Sequence, residues 1–457
     1  MTYRLLIDEG VFANRALLLR DEKPDQFVLE NNTQPSLTSA IFMGRVTAHL
    51  NDMAAAFVDI GGGKSGLLRA QDWVGDYDKS KPFSQQLTEG SLIPVQVTKD
   101  PVKDKAYQLS GYLSLEHPLI HLRGFSKNVQ FAKSFTSDGD KKKLKQELET
   151  YGTGFLLRSR AAKTPTNEIL AAAENLYSQW QVIQKKIKTA DKVILLIPHP
   201  GFTERMVARF GKHANEINIT PSNFAANLKK SSPSLGQKIH ILAGQLSALE
   251  NFTLDELLET RLPLPNSGNI TIEPTEALIA IDVNAASAPK EDVNKQAALL
   301  LSRQLRLRNL SGMILIDFAG HQSREESKKL ADLLRNYCNA DPVRVEVLGS
   351  SSLGLMQLTR ERVAAPLHQL LKNQITVSGH QASLSTLLSF ETALTQVLNN
   401  KSNRHISCRA GANLYAVLGH FREALCQRYD IELKLARDDN LSPDAYDLTN
   451  SPRDIED

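Results

Sequence analysis

Cysteine is scarce in this chain. Cys338, Cys408 and Cys426 are an odd number at wide spacings with no C-x-x-C pair, which excludes a disulfide framework and a cysteine-rich zinc site and points to a reducing compartment. An excess of one charge is missing too: Lys and Arg total 54 against 51 Asp and Glu, a formal charge of +3. That balance does not announce a nucleic-acid partner, so any such partner must be argued from local patches. No apolar run approaches the length of a membrane span, and Arg4, Asp8 and Glu9 interrupt the first ten residues, where a signal peptide would carry its apolar core. A cytoplasmic protein without a membrane partner is expected. The 11 histidines form no H-E-x-x-H or C-x-x-C-H grouping, so zinc hydrolysis and haem attachment have no support.

What is present is a globular composition, 41% hydrophobic and 23% charged over 457 residues, enough for roughly three packed units. Short apolar runs at Tyr3–Ile7, Ala16–Leu19 and Phe27–Leu29 read as strands in a segment too short to make its own core, so it must join something downstream. From Ile41 to Leu115 many short strands separated by Gly and Asn/Asp turns read as a small barrel. Helical patterns follow at Lys141–Glu149 and Asn167–Ile187, around a short strand Gly154–Leu157, and Val193–Ile197 is a buried-strand candidate. The second half alternates strand and helix: Leu278–Ile281, Asn294–Arg308, Met313–Ile316, Ser323–Arg335 and Val343–Leu348. After Leu370 a last segment reads as a small separate unit. The fold class is multidomain α/β (α+β).

Two apolar strands end in aspartate, Ala277–Asp282 and Met313–Asp317. An ionised carboxylate at the end of a buried strand is costly unless it is paired or binds a cation. Two such strands in one sheet would bring Asp282 and Asp317 together, and the two-residue strand period puts Asn284 on the side of Asp282. An oxygen-only set of this kind suits Mg²⁺, with Mn²⁺ as a substitute. The alternative is that each aspartate caps a helix or sits in a turn, but Ser323 with Glu326 forms an S-x-x-E capping box that leaves Asp317 free of that duty. Arg303 and Arg306 share a helical face that spacing alone reads as solvated, whereas Arg308 lies nearer the Asp317 strand and is the better phosphate contact. A P-loop reading of Gly63-Lys64-Ser65 fails, because the glycine required five residues earlier is Val58. In the barrel, Arg45, Phe57 and Lys64 offer cations and an aromatic on a surface of the kind that stacks bases, though Phe57 equally suits a core.

Together these segments resemble the catalytic half of the ribonuclease E/G family of bacterial endoribonucleases. The resemblance rests on Gly44-Arg-Val and Ala55–Gly61 in the barrel, on Thr275–Asn284 and Arg303–Phe318, and on Val345–Arg362. It implies an RNase H-like subdomain from residues 1–36 and 203–257, an inserted OB-fold RNA-binding barrel of the ribosomal S-one type at 37–117, and a 5′-end sensor region at 118–202. A DNase I-like catalytic subdomain at 258–372 and a small C-terminal domain at 373–457 complete the implied order. It further implies that Asp282 and Asp317 hold Mg²⁺, that Asn284 orients the carboxylate or the attacking water, and that Arg308 contacts the scissile phosphate. Phe57 and Lys105 would hold RNA. Arg158 and Ser159, where the family pairs an arginine with a threonine, would sense a 5′-phosphate with support from Arg344.

The chain departs from the family pattern in three further places. Leu67 stands where a second stacking aromatic is usual, the glycine- and arginine-rich sensor loop is not recognisable around Phe125–Phe135, and Val363–Leu371 lacks the C-P-x-C zinc link. No zinc link is expected, and a homodimer would use other surfaces. The resulting expectation is a Mg²⁺-dependent endoribonuclease that cleaves single-stranded RNA to 5′-phosphate and 3′-hydroxyl ends in RNA processing or decay, ribosomal RNA included. The alternative is a non-catalytic RNA-binding protein of the same fold.

Overall fold

The computed structural model describes residues 2–33, 35–101, 106–117, 119–135, 138–220, 236–242, 254–265, 268–320, 323–400 and 404–449. The chain divides into two units, Met1–Pro35 with Phe210–Asp457, and Ser36–Arg209.

In the first unit, the N-terminal strands Tyr3–Glu9, Ala13–Arg20 and Lys23–Asn31 form an antiparallel meander. Glu216–Ile219 and Ile239–Ile241 add to it in parallel, giving a five-stranded sheet. Leu5, Leu6 and Ile7 are all buried in succession, the pattern of a central strand covered on both faces. Leu6, Phe12, Leu17 and Phe27 enter one apolar core with Leu387, Phe390, Leu414, Leu418 and Leu433. The segment after Leu370, which reads as a separate unit, therefore shares its core with the N-terminal strands.

That junction also buries charge. Asp8 pairs with Arg15 at 2.5 Å, and the Glu391 carboxylate accepts hydrogen bonds from the Val11 amide and the Tyr429 hydroxyl, each at 2.6 Å. Glu391 is 1% exposed. Burial pushes its carboxyl above the usual range, only partly offset by Arg15.

The second sheet of this unit has six strands in the order Arg261–Leu264, Gly268–Pro274, Ile279–Asn284, Gly312–Asp317, Met356–Arg360 and Val345–Ser350. Only the central pair, Ile279–Asn284 with Gly312–Asp317, is parallel. Helix Lys290–Leu307 connects these two strands, and Arg324–Cys338 follows the second, started by the Ser323/Glu326 capping box. One face of the sheet packs on these helices through Ile281, Val283, Ile314 and Ile316 against Val293, Ala297, Leu301 and Leu334. Strand alternation sends Asp282, Asn284, Met313 and Asp317 to the other face, where they are exposed.

In the second unit, Ile41–Leu50, Ala55–Gly61, Lys64–Arg69, Tyr107–Ser110 and Leu92–Lys99 pair in sequence, and the last closes on the first. This closed five-stranded barrel, filled by Val46, Ala56, Val58, Leu68, Val95 and Leu109, is consistent with an OB-like fold. Ile194–Ile197 takes the edge of Ile41–Leu50 that the neighbouring strand leaves free. A four-stranded sheet, Val129–Phe131, Gly154–Leu157, Ile120–Arg123 and Ser114–Glu116, packs on helices Asp138–Glu149 and Thr166–Thr189 through Leu122, Phe155, Leu144 and Trp180.

Candidate active site

The parallel register of the central pair sets Asp282 directly beside Asp317. Neighbouring strands lie about 4.8 Å apart, and register partners in a parallel pair project to the same face. Asp282, Asn284 and Asp317 are all exposed at the C-terminal ends of their strands. The Asn284 side-chain amide donates to Asp282 Oδ2, which fixes the orientation of that carboxylate. Among the described residues, no cation pairs with either aspartate and no cluster of three or more His, Cys, Asp or Glu forms a metal site. The set is two like-charged carboxylates and a neutral amide oxygen, which suits a small oxygen-seeking divalent ion that keeps most of its waters.

A residue that sequence reasoning passed over holds the second aspartate's loop. Asn294, buried on helix Lys290–Leu307, donates from Nδ2 to the Ala319 carbonyl at 3.1 Å and accepts from the Ala319 amide at 2.9 Å. This reciprocal pair clamps the backbone two residues beyond Asp317. A polar residue in a helix interior gives no signal of its partner, so no pattern in the sequence marks it.

Arg308 is not part of this end of the sheet. The strand Ile279–Asn284 runs toward the carboxylates, the helix Lys290–Leu307 runs back, and Arg308 caps its C-terminus before Gly312–Asp317 sets out again. A six-residue strand spans about 17 Å at roughly 3.3 Å per residue, so Arg308 belongs to the opposite end from Asp317. Its guanidinium is buried, donating from Nε to Gln304 and from an Nη to the Glu259 carbonyl, each at 2.7 Å. Burial pushes it down to about 10, partly offset by Glu259. Nor are Arg303 and Arg306 solvated. Arg306 forms a buried 2.7 Å ion pair with Asp25 and Arg303 donates to the Pro24 carbonyl, so this helix face holds the strand Lys23–Asn31.

In the barrel, Phe57 and Leu67 are register partners on adjacent strands, both half-buried rather than in the core. Lys64 is exposed beyond the Gly61–Gly63 turn, whose glycines all have positive φ. The Gly63-Lys64-Ser65 triplet is thus the end of a hairpin. Arg45 donates to the Gly90 carbonyl at 2.9 Å, and Lys105 lies outside the described residues. Arg158 and Ser159 are exposed immediately after the strand Gly154–Leu157. Arg344 belongs to the other unit, where it pairs with Glu346 at 3.3 Å.

The sequence model of the ribonuclease E/G family matches residues 117–363, more than half of the chain. A ribonuclease E from Synechocystis sp. is 30% identical over 358 residues, covering 72% of this chain and 53% of that protein. Ribonuclease G from Haemophilus influenzae is 27% identical over 392 residues, 79% of each chain, and ribonuclease G from Escherichia coli K12 is 24% identical over 417 residues, 85% of each. The chain belongs to the ribonuclease E/G family. It spans about half the length of the ribonuclease E relatives.

Proposed function

We propose that this chain is a divalent-cation-dependent endoribonuclease that hydrolyses single-stranded RNA internally, leaving 5′-phosphate and 3′-hydroxyl ends, in RNA processing or decay. The observation that carries the reading is the register pairing of Asp282 with Asp317 on an exposed sheet face, with no ion pair to either among the described residues. Family membership and the relatives' names support it. The subdomain order expected from the sequence, RNase H-like, barrel, sensor, DNase I-like and small C-terminal, belongs to this proposal.

Asp282 and Asp317 would hold Mg²⁺ through their carboxylates, and the Asn284 amide, by donating to Asp282, keeps that carboxylate in one orientation. When bound, such an ion lowers the pKa of a coordinated water and offsets charge developing on the phosphate. Asn294 supports the same geometry by holding the Ala319 backbone. On the barrel, Phe57 would stack a base, with Lys64 and Arg45 near the RNA backbone. Leu67, its register partner, supplies apolar contact without a ring. Arg158 and Ser159 would grip a 5′-phosphate, a guanidinium and a hydroxyl being suited to that anion.

The test is cleavage of an A/U-rich single-stranded oligonucleotide, carrying a 5′-monophosphate or a 5′-hydroxyl, by wild type and Asp282→Asn with Mg²⁺, Mn²⁺ or EDTA. Internal cuts that need both the metal and Asp282 support the nuclease, and the ratio between the two ends reads out Arg158 and Ser159. Unchanged cleavage by Asp282→Asn sinks the site assignment. Binding without cleavage by wild type makes the chain an RNA-binding protein of this fold instead.

A further inference from the structure

With Arg308 at the far end of the sheet, a polyanionic substrate calls for a different cation at the carboxylate end. The loops that follow the two aspartate strands supply one. Helix Lys290–Leu307 begins six residues after Asn284, at Lys290, and Asn294, one turn further along the same helical face, is clamped to Ala319 by two hydrogen bonds. Lys290 is thereby carried to the next residue, Gly320. A Cβ built on Gly320 would lie 2.5 Å from Lys290 Cδ and 2.9 Å from its Nζ, so the lysine lies across a backbone that only glycine leaves open. The φ of +79° at Gly320 independently favours glycine there.

Two nearby lysines are held by acids one helical turn away. Lys295 pairs with Glu291 and Lys329 with Glu325, each at 2.8 Å. Lys290 is exposed and has no hydrogen bond or ion pair to any described residue. Gly320 is three residues past Asp317, at most about 10 Å of chain, which brings the ammonium within reach of a phosphate neighbouring the one at the carboxylates. We propose that Lys290 is a substrate contact, binding a backbone phosphate of single-stranded RNA next to the scissile bond. This rests on the endoribonuclease reading above. A lysine suits the task because a mobile ammonium can follow the phosphates of an unstructured strand as a point charge.

The experiment measures KM for cleavage of a single-stranded oligonucleotide between about 50 and 200 mM KCl, for wild type, Lys290→Gln and Lys290→Arg. Each phosphate neutralised on a single strand contributes about 0.7 to the log–log salt slope. Lys290→Gln is expected to raise KM severalfold at the lowest salt and to flatten the slope by about 0.7, Lys290→Arg to restore it, with the melting midpoint unchanged in both. A purely structural role would not move the slope. Wild-type cleavage with a full slope retained in Lys290→Gln overturns this contact and leaves the function standing. A wild type that neither cuts nor binds the oligonucleotide overturns both.

Discussion

Asp8 and Glu391 on one side, Asp282 and Asp317 on the other, are carboxylates of the same folded unit in opposite circumstances. The first two are buried and met from within: Arg15 pairs with Asp8, Tyr429 and the Val11 amide with Glu391. Asp25 with Arg306 and Asp341 with Arg360 follow the same rule, at 2.7 and 2.9 Å. Asp282 and Asp317 stand side by side on an exposed face, where the Asn284 amide donates to Asp282 and no cation among the described residues pairs with either. A fold that meets these buried acids from within, and leaves this like-charged pair open to solvent, has left room there for a cation from outside. On the proposed function, the difference separates residues that hold the protein together from residues that act.

The sharpest break of this comparison is at the open pair. Asp317→Asn is expected to lower cleavage about 10³-fold, roughly 4 kcal/mol of transition-state stabilisation. Its melting midpoint should be unchanged or higher, since a like-charge repulsion is relieved, and a calorimetric scan beside the kinetics checks both. The opposite signature belongs to Asp25→Ala, which leaves Arg306 buried without its partner. That should cost about 3–5 kcal/mol of stability, measured by denaturant unfolding, while activity per folded molecule stays at the wild-type level.

Phe57 belongs to neither set. If it stacks a base, Phe57→Ala should weaken RNA binding by about 1–3 kcal/mol with kcat little changed, and unchanged binding would remove it from the RNA surface. The smallest expected effect is a pH dependence. Burial raises the folded-state pKa of Glu391 above its usual value, so its contribution to stability is full below the unfolded pKa and is lost as pH rises through the folded one. Glu391→Gln, which keeps an acceptor for Tyr429 and Val11, should flatten that decline. Melting midpoints of the two proteins from the usual carboxylate range upward decide it, with Asp8, Arg15 and Arg428, which pairs with Asp8 at 3.5 Å, left in place.

Features written in local pattern were legible in the sequence. Ser323 and Glu326 announce their capping box by spacing, and the geometry has both hydrogen bonds. Asp282 and Asp317 announce themselves because an apolar strand seldom ends in a charge. What was not legible depends on which end of a sheet an element reaches, or on partners far along the chain. Arg308 precedes the Asp317 strand in sequence, yet a helix that returns antiparallel leaves it at the far end. Arg306 looks solvated until Asp25, some 281 positions away, is folded against it. The C-terminal helices look like a unit of their own until Phe12 and Leu17 enter their core. Asn294 is invisible because its partner is a backbone.

The central claim is that Asp282 and Asp317 together hold the divalent cation. It is tested most directly by the melting midpoint of wild type and of an Asp282→Asn, Asp317→Asn double variant as Mg²⁺ is titrated at constant ionic strength. Ligand binding to the folded state alone stabilises by about 2.7 kcal/mol at a hundredfold excess over Kd. Wild type should therefore melt progressively higher while the double variant stays flat. An equal rise in both proteins would contradict the account, because the ion would then be held somewhere other than between these two strands.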